Sequence, residues 1–380
     1  KVKPNEQLTD PLSTDLLYHQ LWRKYVTDDS VRKVNKDKLL ALLDGLVADM
    51  YKRQELSLHI RAFETEYAAE LKYLLTNELL LVTPNGHIQF FHQTLFDYVY
   101  ARRFTEHGYD LLDELKSQHQ GLFSRAAVKS ILTFMREQDP TKYIAVINQL
   151  LYAQNEDGSA VFRYHLKSLA LSNMPFFEEP LKEESSLIAR KLFDDKVYMD
   201  VVFESVHTAN WFNAVWQIID NRGGWKSLGT DYKEKVMLMC QRTLWSDAAV
   251  VLDRIEQSLD YNDEEDCRYI GNLIQCYDLR CDSKKIISFY NKLVKRRNPL
   301  EHIYLLRNIL KENPEFVCRE LIENVRLQLQ DENKDSLHRI KLSHETEMLY
   351  QELLQKHRRQ AIQLLIDLLT LVYESTKYEI

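Results

Sequence analysis

Glycine is scarce along this chain, and that scarcity limits which folds the chain can form. Only nine of its 380 residues are glycine, against a usual share of about 7%. Tight hairpins and phosphate-binding loops need glycine where the backbone takes a positive φ. A chain with so little glycine can build few of either, so we expect a mainly α-helical fold with short turns.

The length and the net charge limit the number of domains and the kind of partner that we expect. At 380 residues the chain is long for one core, which predicts two or three domains, or one domain followed by a repeat array. Hydrophobic residues make up 45% and charged residues 28% of the chain, as in soluble, folded proteins. The net charge of −7 does not favour nucleic acid as a partner.

Cysteine usage and hydropathy indicate the compartment. The five cysteines form no CxxC pair, which is typical of reduced thiols. No run of about 18 uncharged apolar residues could span a bilayer, and no signal peptide is visible. We therefore expect a cytoplasmic protein without a membrane partner. The chain begins at a lysine, and we expect it to be part of a longer polypeptide.

The first hundred residues contain the one β signal. Helical periods cover residues 12–26, 36–53, 65–77 and 93–106, and an alternating run at 56–60 predicts a short strand. Two apolar runs, 79–83 and 87–91, flank Asn85-Gly86, a dipeptide typical of hairpin turns. Helix, strand, helix and hairpin in this order predict a winged-helix domain.

From residue 109 onward only helical periods occur, among them 120–138, 314–329 and 358–376. The breaks between them are short and rich in Pro, Gly, Asn and Asp, as at Asp139-Pro140 and Asn313-Pro314. Helix pairs recur roughly every 35–40 residues, which predicts an irregular α-solenoid of tetratricopeptide-like or HEAT-like hairpins. A compact helical bundle is the alternative.

Motifs of catalysis and metal binding are missing. The sequence has no GxxxxGK[ST] loop, GxGxxG, HExxH or GxSxG. Gly223-Gly224 lacks the spacing of a phosphate loop. The spacing of Cys267, Cys276 and Cys281 matches no zinc pattern. We expect neither a catalytic residue nor a metal site in this chain.

The candidate recognition helix of the winged-helix domain is acidic. Residues 61–78 contain four glutamates and two cations: Glu64, Glu66, Glu70 and Glu78 against Arg61 and Lys72. Helices that read DNA need positive charge to displace counterions. A winged-helix transcription regulator is therefore the least favoured interpretation.

Residues 90–104 read FFHQTLFDYVYARRF. This stretch resembles the signature that closes the winged-helix domain of NACHT-type STAND NTPases, a class that includes NOD-like receptors and bacterial antiviral STAND ATPases. The positions that match are Phe90, His92, Thr94, Leu95, Asp97, Tyr98 and Ala101. Upstream, DLLYHQLWRKYV and LLTNELLLVTPNGHIQFFH are similar to preceding parts of the same domain. The resemblance covers about residues 8–105. Asp97 stands where the family more often has Glu, and Tyr100 where it often has Ala.

The resemblance implies a role for His92. In the family this histidine contacts the β-phosphate of ADP and holds the protein closed, so His92 would be a nucleotide sensor. Phe90, Leu95, Asp97, Tyr98 and Ala101 would pack the motif. Because the P-loop is missing, ATP or ADP with Mg²⁺ would belong to a parent protein that is an ATPase, while this fragment would not be an enzyme. A capping or buried structural histidine is the alternative.

These inferences give a domain plan. Residues 1–30 would link to a missing N-terminal ATPase core, 31–107 would form the winged-helix domain, and 108–380 would form the helical-repeat domain. The repeats would bind a protein trigger in signal transduction or antiviral defence, with an oligomer possible on activation. A free-standing helical-repeat scaffold for protein–protein interaction is the alternative.

Side-chain positions can be anticipated too. Phe91 and Leu95 are expected to face the core of the winged-helix domain, while the His92 ring points away from it. Exposed aromatic residues would anchor a partner, because Tyr and Trp dominate binding hot spots. Trp211, Trp216 and Trp225 are expected in the core instead.

Overall fold

A computed structural model of the chain describes residues 14–117, 124–275, 283–294, 303–329 and 344–376. These residues form mostly α-helices together with one small three-stranded sheet. The mainly helical fold expected from the low glycine content is confirmed. Two compact units divide the chain: the first is Lys1–Phe177 with Lys182–Arg190, and the second is Glu178–Leu181 with Lys191–Ile380.

The first unit contains nine helices and the sheet within its described residues. The helices are Thr14–Trp22 (α1), Lys36–Arg53 (α2), Arg61–Thr76 (α3), Gln93–Glu106 (α4), Leu111–Ser117 (α5), Ser124–Gln138 (α6), Pro140–Tyr152 (α7), Tyr164–Asn173 (α8) and Lys182–Ala189 (α9). A π-helical turn, Arg23–Thr27, follows α1 directly. The helical period at 12–26 is therefore split, with residues 12 and 13 outside the described part.

The sheet lies between α2 and α4 in sequence. Its strands are Leu58–His59 (β1), Leu80–Val82 (β2) and His87–Phe90 (β3), arranged in the order β1-β3-β2 with antiparallel pairing. Thr83, Pro84, Asn85 and Gly86 connect β2 to β3. Gly86 takes a φ of +74° and its N–H donates to the Thr83 carbonyl at 3.0 Å. Gly86 alone supplies the positive φ that such a loop needs, since Asn85 does not adopt one.

Helix α4 is the central element of the first unit. Its buried side chains contact α1, α2 and α6. Tyr98 contacts the rings of Tyr18 and Trp22 from α1 and of Phe134 from α6. Arg102 lies over Trp22 at 4.8 Å from the ring centroid. The N-terminal end of α4 is thus held in place by packing against several neighbouring elements.

The second unit contains ten helices within its described residues. They are Lys196–Ser205 (α10), Ala209–Asn221 (α11), Thr230–Leu244 (α12), Ala248–Ser258 (α13), Glu264–Gln275 (α14), Ser283–Val294 (α15), Ile303–Leu310 (α16), Pro314–Leu329 (α17), His344–Lys356 (α18) and Arg358–Thr376 (α19). Sequence-neighbouring helices contact each other repeatedly, as α12 contacts α13 and α18 contacts α19.

Tryptophans fill the core of the second unit. Trp211 and Trp216 are fully buried and Trp225 is 2% exposed, so their expected core position is confirmed. The Trp225 indole N–H donates to the carboxylate of Asp266 at 2.7 Å, and the ammonium group of Lys233 lies 3.9 Å from the same carboxylate. The loop at Gly223-Gly224 is therefore followed by a buried side chain, Trp225, so the loop has a structural role.

The predicted domain boundary at 107/108 lies inside the first unit, and it stays a prediction. Several predicted helix ends, such as the beginning of 120–138, lie outside the described residues. Within the part of the chain that the structure describes, no helix is long and apolar enough to cross a membrane.

Candidate functional site around His92

His92 lies where the sheet is followed by α4. Strand β3 ends at Phe90 and α4 begins at Gln93. His92 has an extended backbone (φ −146°, ψ 143°) and is the N-cap residue of α4. Its Nδ1 accepts a hydrogen bond from the Thr94 backbone N–H at 3.2 Å. The structure thus places His92 at the helix start, with its side chain satisfying one of the helix's unpaired N–H donors.

A chain of hydrogen bonds fixes the His92 ring. Nδ1 lies 2.7 Å from the Thr94 hydroxyl, and that hydroxyl in turn contacts the phenolic oxygen of Tyr18 on α1. With Nδ1 accepting from the Thr94 backbone, the proton of the neutral ring is assigned to Nε2. The exposed His92 ring can therefore offer an N–H donor close to the positive end of the α4 dipole.

Phe91 does not face the core, contrary to the sequence expectation. Its side chain is 40% exposed, whereas Phe90 is 6% and Leu95 is 4% exposed. The strand alternation explains the difference: Ile88 and Phe90 point inward along β3, so the next residue points outward. Leu95, one turn into α4, is buried as expected.

Exposed apolar side chains share the hairpin with His92. Phe91 continues β3, and its N–H donates to the Leu79 carbonyl at 3.2 Å. On the neighbouring strand, Leu81 is 41% and Val82 is 48% exposed. By strand alternation Leu81 points to the outer face of the sheet, as Phe91 does, while Val82, which pairs with Ile88, points to the other face. The two exposed apolar side chains on the outer face suit contact with another domain.

The residues predicted to pack the motif are buried, whereas Gln93 and Thr94 of the same stretch are exposed. Phe90, Leu95, Tyr98 and Ala101 are at most 6% exposed. Phe90 packs on Phe96 with ring centroids 5.9 Å apart. Tyr100, where the family often has Ala, stacks on Tyr51 of α2 at 4.1 Å. Sequence reasoning gave no partner for this tyrosine, because Tyr51 lies 49 positions earlier in the chain.

Asp97 is the unusual member of the motif. It is 8% exposed, and within the described residues no hydrogen bond or ion pair reaches its carboxylate. Desolvation raises the pKa of Asp97 from its usual value of 3.8 to about 6. Near pH 6 the Asp97 carboxyl group is therefore partly ionised, and no opposite charge among the described residues compensates it.

Below α4 lies a pocket that sequence reasoning did not find. Its volume is about 560 Å³. The aromatic residues that line it are Tyr51, Tyr100, Phe104 and Tyr109, with Lys52 and Glu114 among the polar ones. Arg103, also in the lining, is held by an ion pair with Asp44 of α2. The lining residues come from α2, α4 and the chain around α5, so no local sequence pattern marks the pocket.

The exposed charges on helix α3 are balanced. Glu64 and Glu66 are exposed, while Glu70 is buried at 5% exposure. The exposed cations on this helix are Arg61 and Lys72. An exposed surface with two acids and two cations offers no excess positive charge to a phosphate backbone.

Among the described residues of the second unit, two aromatic side chains are largely exposed, Trp245 and Tyr373. Trp245, which caps the C-terminus of α12, is 68% exposed. Leu238 is 42% exposed and precedes it by two helical turns, so the two lie on the same side of α12. Exposed aromatic side chains were expected in the helical region, although the sequence did not indicate that Trp245 would be one of them.

The described residues offer few groups that suit metal binding or thiol chemistry. Among them, no group of three or more His, Cys, Asp or Glu side chains could hold a metal ion. Cys240 and Cys267 are buried free thiols, and burial raises the pKa of Cys240 above its usual value. Cys276 and Cys281 lie outside the described residues.

Three kinds of comparison were made with this chain: with models of protein families, with curated proteins and with solved structures. None of them found a match.

Proposed function

We propose that this chain is a non-catalytic regulatory and ligand-sensing segment of a STAND-type signalling NTPase in the cytoplasm. The observation that carries the proposal is the geometry of His92. Its Nδ1 is occupied by the start of α4, and its exposed ring presents Nε2 at the positive end of the helix. A phosphate oxygen of a bound nucleotide is a suitable acceptor at that position.

The α2–α4 region acts as a winged-helix domain in this proposal. Its sheet and hairpin follow the element order that the sequence predicted. The exposed side chains of Leu81 and Phe91 would contact an ATPase core, which supplies the P-loop, ADP and Mg²⁺. His92 would then hold the closed, ADP-bound form. This chain alone would neither hydrolyse ATP nor bind ADP tightly.

The helical region after residue 107 binds a protein trigger in this proposal, as an irregular solenoid. Trp245 and Leu238 on α12 are the anchors, because a partly exposed Trp gains much when a partner buries it. Trigger binding would shift the population from the closed to an open, oligomer-competent form. That shift requires trigger contacts that differ between the two forms.

Two substitutions of His92 separate capping from nucleotide sensing. His92→Ala removes both the cap and Nε2, while His92→Asn keeps a good N-cap residue and removes only Nε2. In the isolated chain we expect His92→Ala to cost about 1 kcal/mol of unfolding free energy and His92→Asn to cost less. Urea-induced unfolding followed by circular dichroism measures both.

The same pair is then tested with the ATPase core present. Both variants should favour the open form, seen as oligomers without trigger in light scattering, because each lacks an interaction made only with bound ADP. Thr94→Ser is the matched control, since it keeps the hydroxyl beside Nδ1. If His92→Asn restores both stability and trigger dependence, His92 is only a cap and the sensor assignment is lost.

A free-standing interaction scaffold is the second candidate, and the exposure of Trp245 favours it. Such a protein would bind its partner without a nucleotide-dependent step. Trp245→Ala should then weaken partner binding while His92→Asn leaves it unchanged at every ADP concentration. Tyr164→Ala, which removes a 61% exposed aromatic residue of the first unit, is the control.

A further inference from the structure

Helix α19 has two neighbouring apolar faces, one buried and one exposed. One face is buried, with Ala361 0% and Leu364 1% exposed, and it contacts α17 and α18. The other face is formed by five large apolar side chains that are between 47% and 67% exposed: Ile362, Leu365, Ile366, Leu369 and Tyr373. The remaining face is polar and contains Gln363, Asp367, Thr370 and Glu374. An apolar arc wider than the face a helix already buries is expected to be covered by a further element.

The exposed face, here called the α19 stripe and defined by those five residues, is large for an uncovered surface. It presents on the order of 500 Å² of apolar side chain, at the upper end of the largest patch on a typical monomer. Leu365 also lines a groove of about 290 Å³ between α17, α18 and α19, together with Val325, Tyr350 and Leu368. The stripe therefore continues into a recess that could receive side chains.

The spacing of the stripe is that of a helix–helix seam. Ile362, Ile366, Leu369 and Tyr373 follow each other at intervals of four, three and four residues, the repeat of paired helices. Asp367 is the one charged residue between 360 and 373. It is half-buried and lies about 100° around the helix from Ile366. A partner helix would therefore meet no charge along the seam.

We propose that a second copy of this chain covers the α19 stripe, with the two α19 helices antiparallel. The spacing of four, three and four reads the same in both directions. A two-fold axis between Asp367 and Leu368 thus sets Ile362 opposite Tyr373 and Ile366 opposite Leu369. Such self-complementarity is what a two-fold symmetric interface requires.

The charges at the ends of the helix select the antiparallel arrangement. Arg358 and Arg359 lie at its start and Glu374 near its end, all exposed. Parallel pairing would place four guanidinium groups together at one end. Antiparallel pairing separates them and brings each arginine pair towards the end of the helix that carries the partner's glutamate. This dimer needs neither nucleotide nor trigger, so it stands or fails independently of the role of His92.

The oligomeric state in solution is the first test. In sedimentation equilibrium, we expect the wild-type chain to pass from monomer to dimer within roughly the micromolar range, as befits a small interface. Ile366→Glu combined with Leu369→Glu places charge at the centre of the seam and should raise the dissociation constant at least about 100-fold. Met348→Glu combined with Leu354→Glu makes the same chemical change at two exposed apolar positions of α18 and should leave the dimer intact.

Engineered cysteines test the direction of pairing. Antiparallel helices set residue 362 opposite residue 373, while two copies of residue 362 lie roughly 16 Å apart along the axis. An oxidised mixture of Ile362→Cys and Tyr373→Cys chains should give the mixed disulfide, and Ile362→Cys alone should give none. The wild-type chain under the same oxidation accounts for its own thiols.

Three results would overturn the proposal. If the wild-type chain stays monomeric up to its solubility limit, the α19 stripe does not bind a second copy of this chain. A dimer that survives the double glutamate substitution, with circular dichroism showing both variants folded, uses another surface. A disulfide formed by Ile362→Cys alone would mean parallel pairing and would contradict the two-fold axis proposed here.

Discussion

Asp97 and Glu184 are both buried carboxylates, yet their surroundings differ. The carboxylate of Glu184 on α9 is fully buried and accepts hydrogen bonds from Arg136 Nε, Arg136 Nη2 and the Tyr143 hydroxyl, each at 2.8 Å. Arg136 also lies 3.9 Å from the centroid of the Phe177 ring. Asp97 has no such partner among the described residues. Replacing each acid by its amide should therefore have opposite effects on stability.

Asp97→Asn should stabilise the chain above about pH 6. Burial raises the pKa of Asp97 to about 6, while the unfolded chain has a pKa near 3.9. Below about pH 4 the group is protonated in both states and costs nothing. As pH rises through 6 the folded state must hold an unpaired charge, so unfolding free energy falls. Asparagine cannot ionise, so Asp97→Asn avoids that loss of unfolding free energy.

The measurement is urea unfolding of the wild type and Asp97→Asn at pH 4, 5, 6, 7 and 8. We expect a gain of about 1–3 kcal/mol at pH 7 to 8 that vanishes towards pH 4. Asp113→Asn, at an exposed position of α5, should show no such pH-dependent gain. A destabilised Asp97→Asn at pH 8 would show that the carboxylate is needed in its ionised form.

Glu184→Gln should destabilise the first unit. The substitution leaves the Arg136 guanidinium buried beside a neutral amide, and breaking a buried ion pair from one side costs about 3–5 kcal/mol. Glu183→Gln, at the exposed neighbouring position, should change the unfolding free energy by less than about 0.5 kcal/mol. Equal effects of the two substitutions in urea unfolding would contradict the role given to the buried pair.

At the scale of elements, the β2–β3 loop depends on one glycine. Gly86 has a φ of +74°, and a Cβ there would come no closer than 3.8 Å to the His59 ring, so the cost of a side chain is conformational. We expect Gly86→Ala to lower the unfolding free energy by about 1–2 kcal/mol. Gly229→Ala is the control, because Gly229 has a φ of −70°. If the two substitutions cost the same, backbone strain is not the reason.

Several helices could be placed from the sequence because their ends are marked locally. Helix α2 begins after Asn35, whose side chain accepts from the Lys38 N–H at 3.0 Å, and α7 begins after Asp139, which caps it ahead of Pro140. These signals act within three or four residues. Helices α2, α4, α17 and α19 accordingly span the ranges expected from their periodicity.

Other features needed contacts that are distant in sequence. Arg136 and Glu184 are 48 positions apart, and no local pattern pairs them. The N-terminal position of His92 was anticipated, but its link to Tyr18 through Thr94 joins residues 76 positions apart. The prediction of a buried Phe91 was wrong, because the strand alternation turns this residue outward.

At the scale of the whole molecule, the first unit is completed by a segment that returns late. Residues Lys182–Arg190 belong to it although Glu178–Leu181 belongs to the second unit. We expect a fragment of residues 1–190 to fold more stably than one of residues 1–177, since the shorter one lacks Glu184 and leaves Arg136 without its carboxylate. Thermal unfolding by circular dichroism compares them, with Glu184→Gln in the longer fragment as the control.

That comparison has two informative outcomes. The Glu184→Gln variant of fragment 1–190 should lose much of the stability difference between fragments 1–190 and 1–177, because it removes the same charge. Equal melting temperatures for fragments 1–190 and 1–177 would show that α9 contributes nothing to the first unit. A third fragment, residues 1–107, tests the domain boundary that was predicted from the sequence.

The late return of α9 also has a consequence for synthesis on the ribosome. Arg136 emerges 48 residues before Glu184, which at about 5–20 residues per second means roughly 2–10 s. During that interval the growing chain carries a cation whose final partner has not been translated. Nascent chains of this protein should thus remain sensitive to protease between α6 and α8 until residue 190 has left the exit tunnel, and a translational pause soon after α8 would prolong their exposure to chaperones.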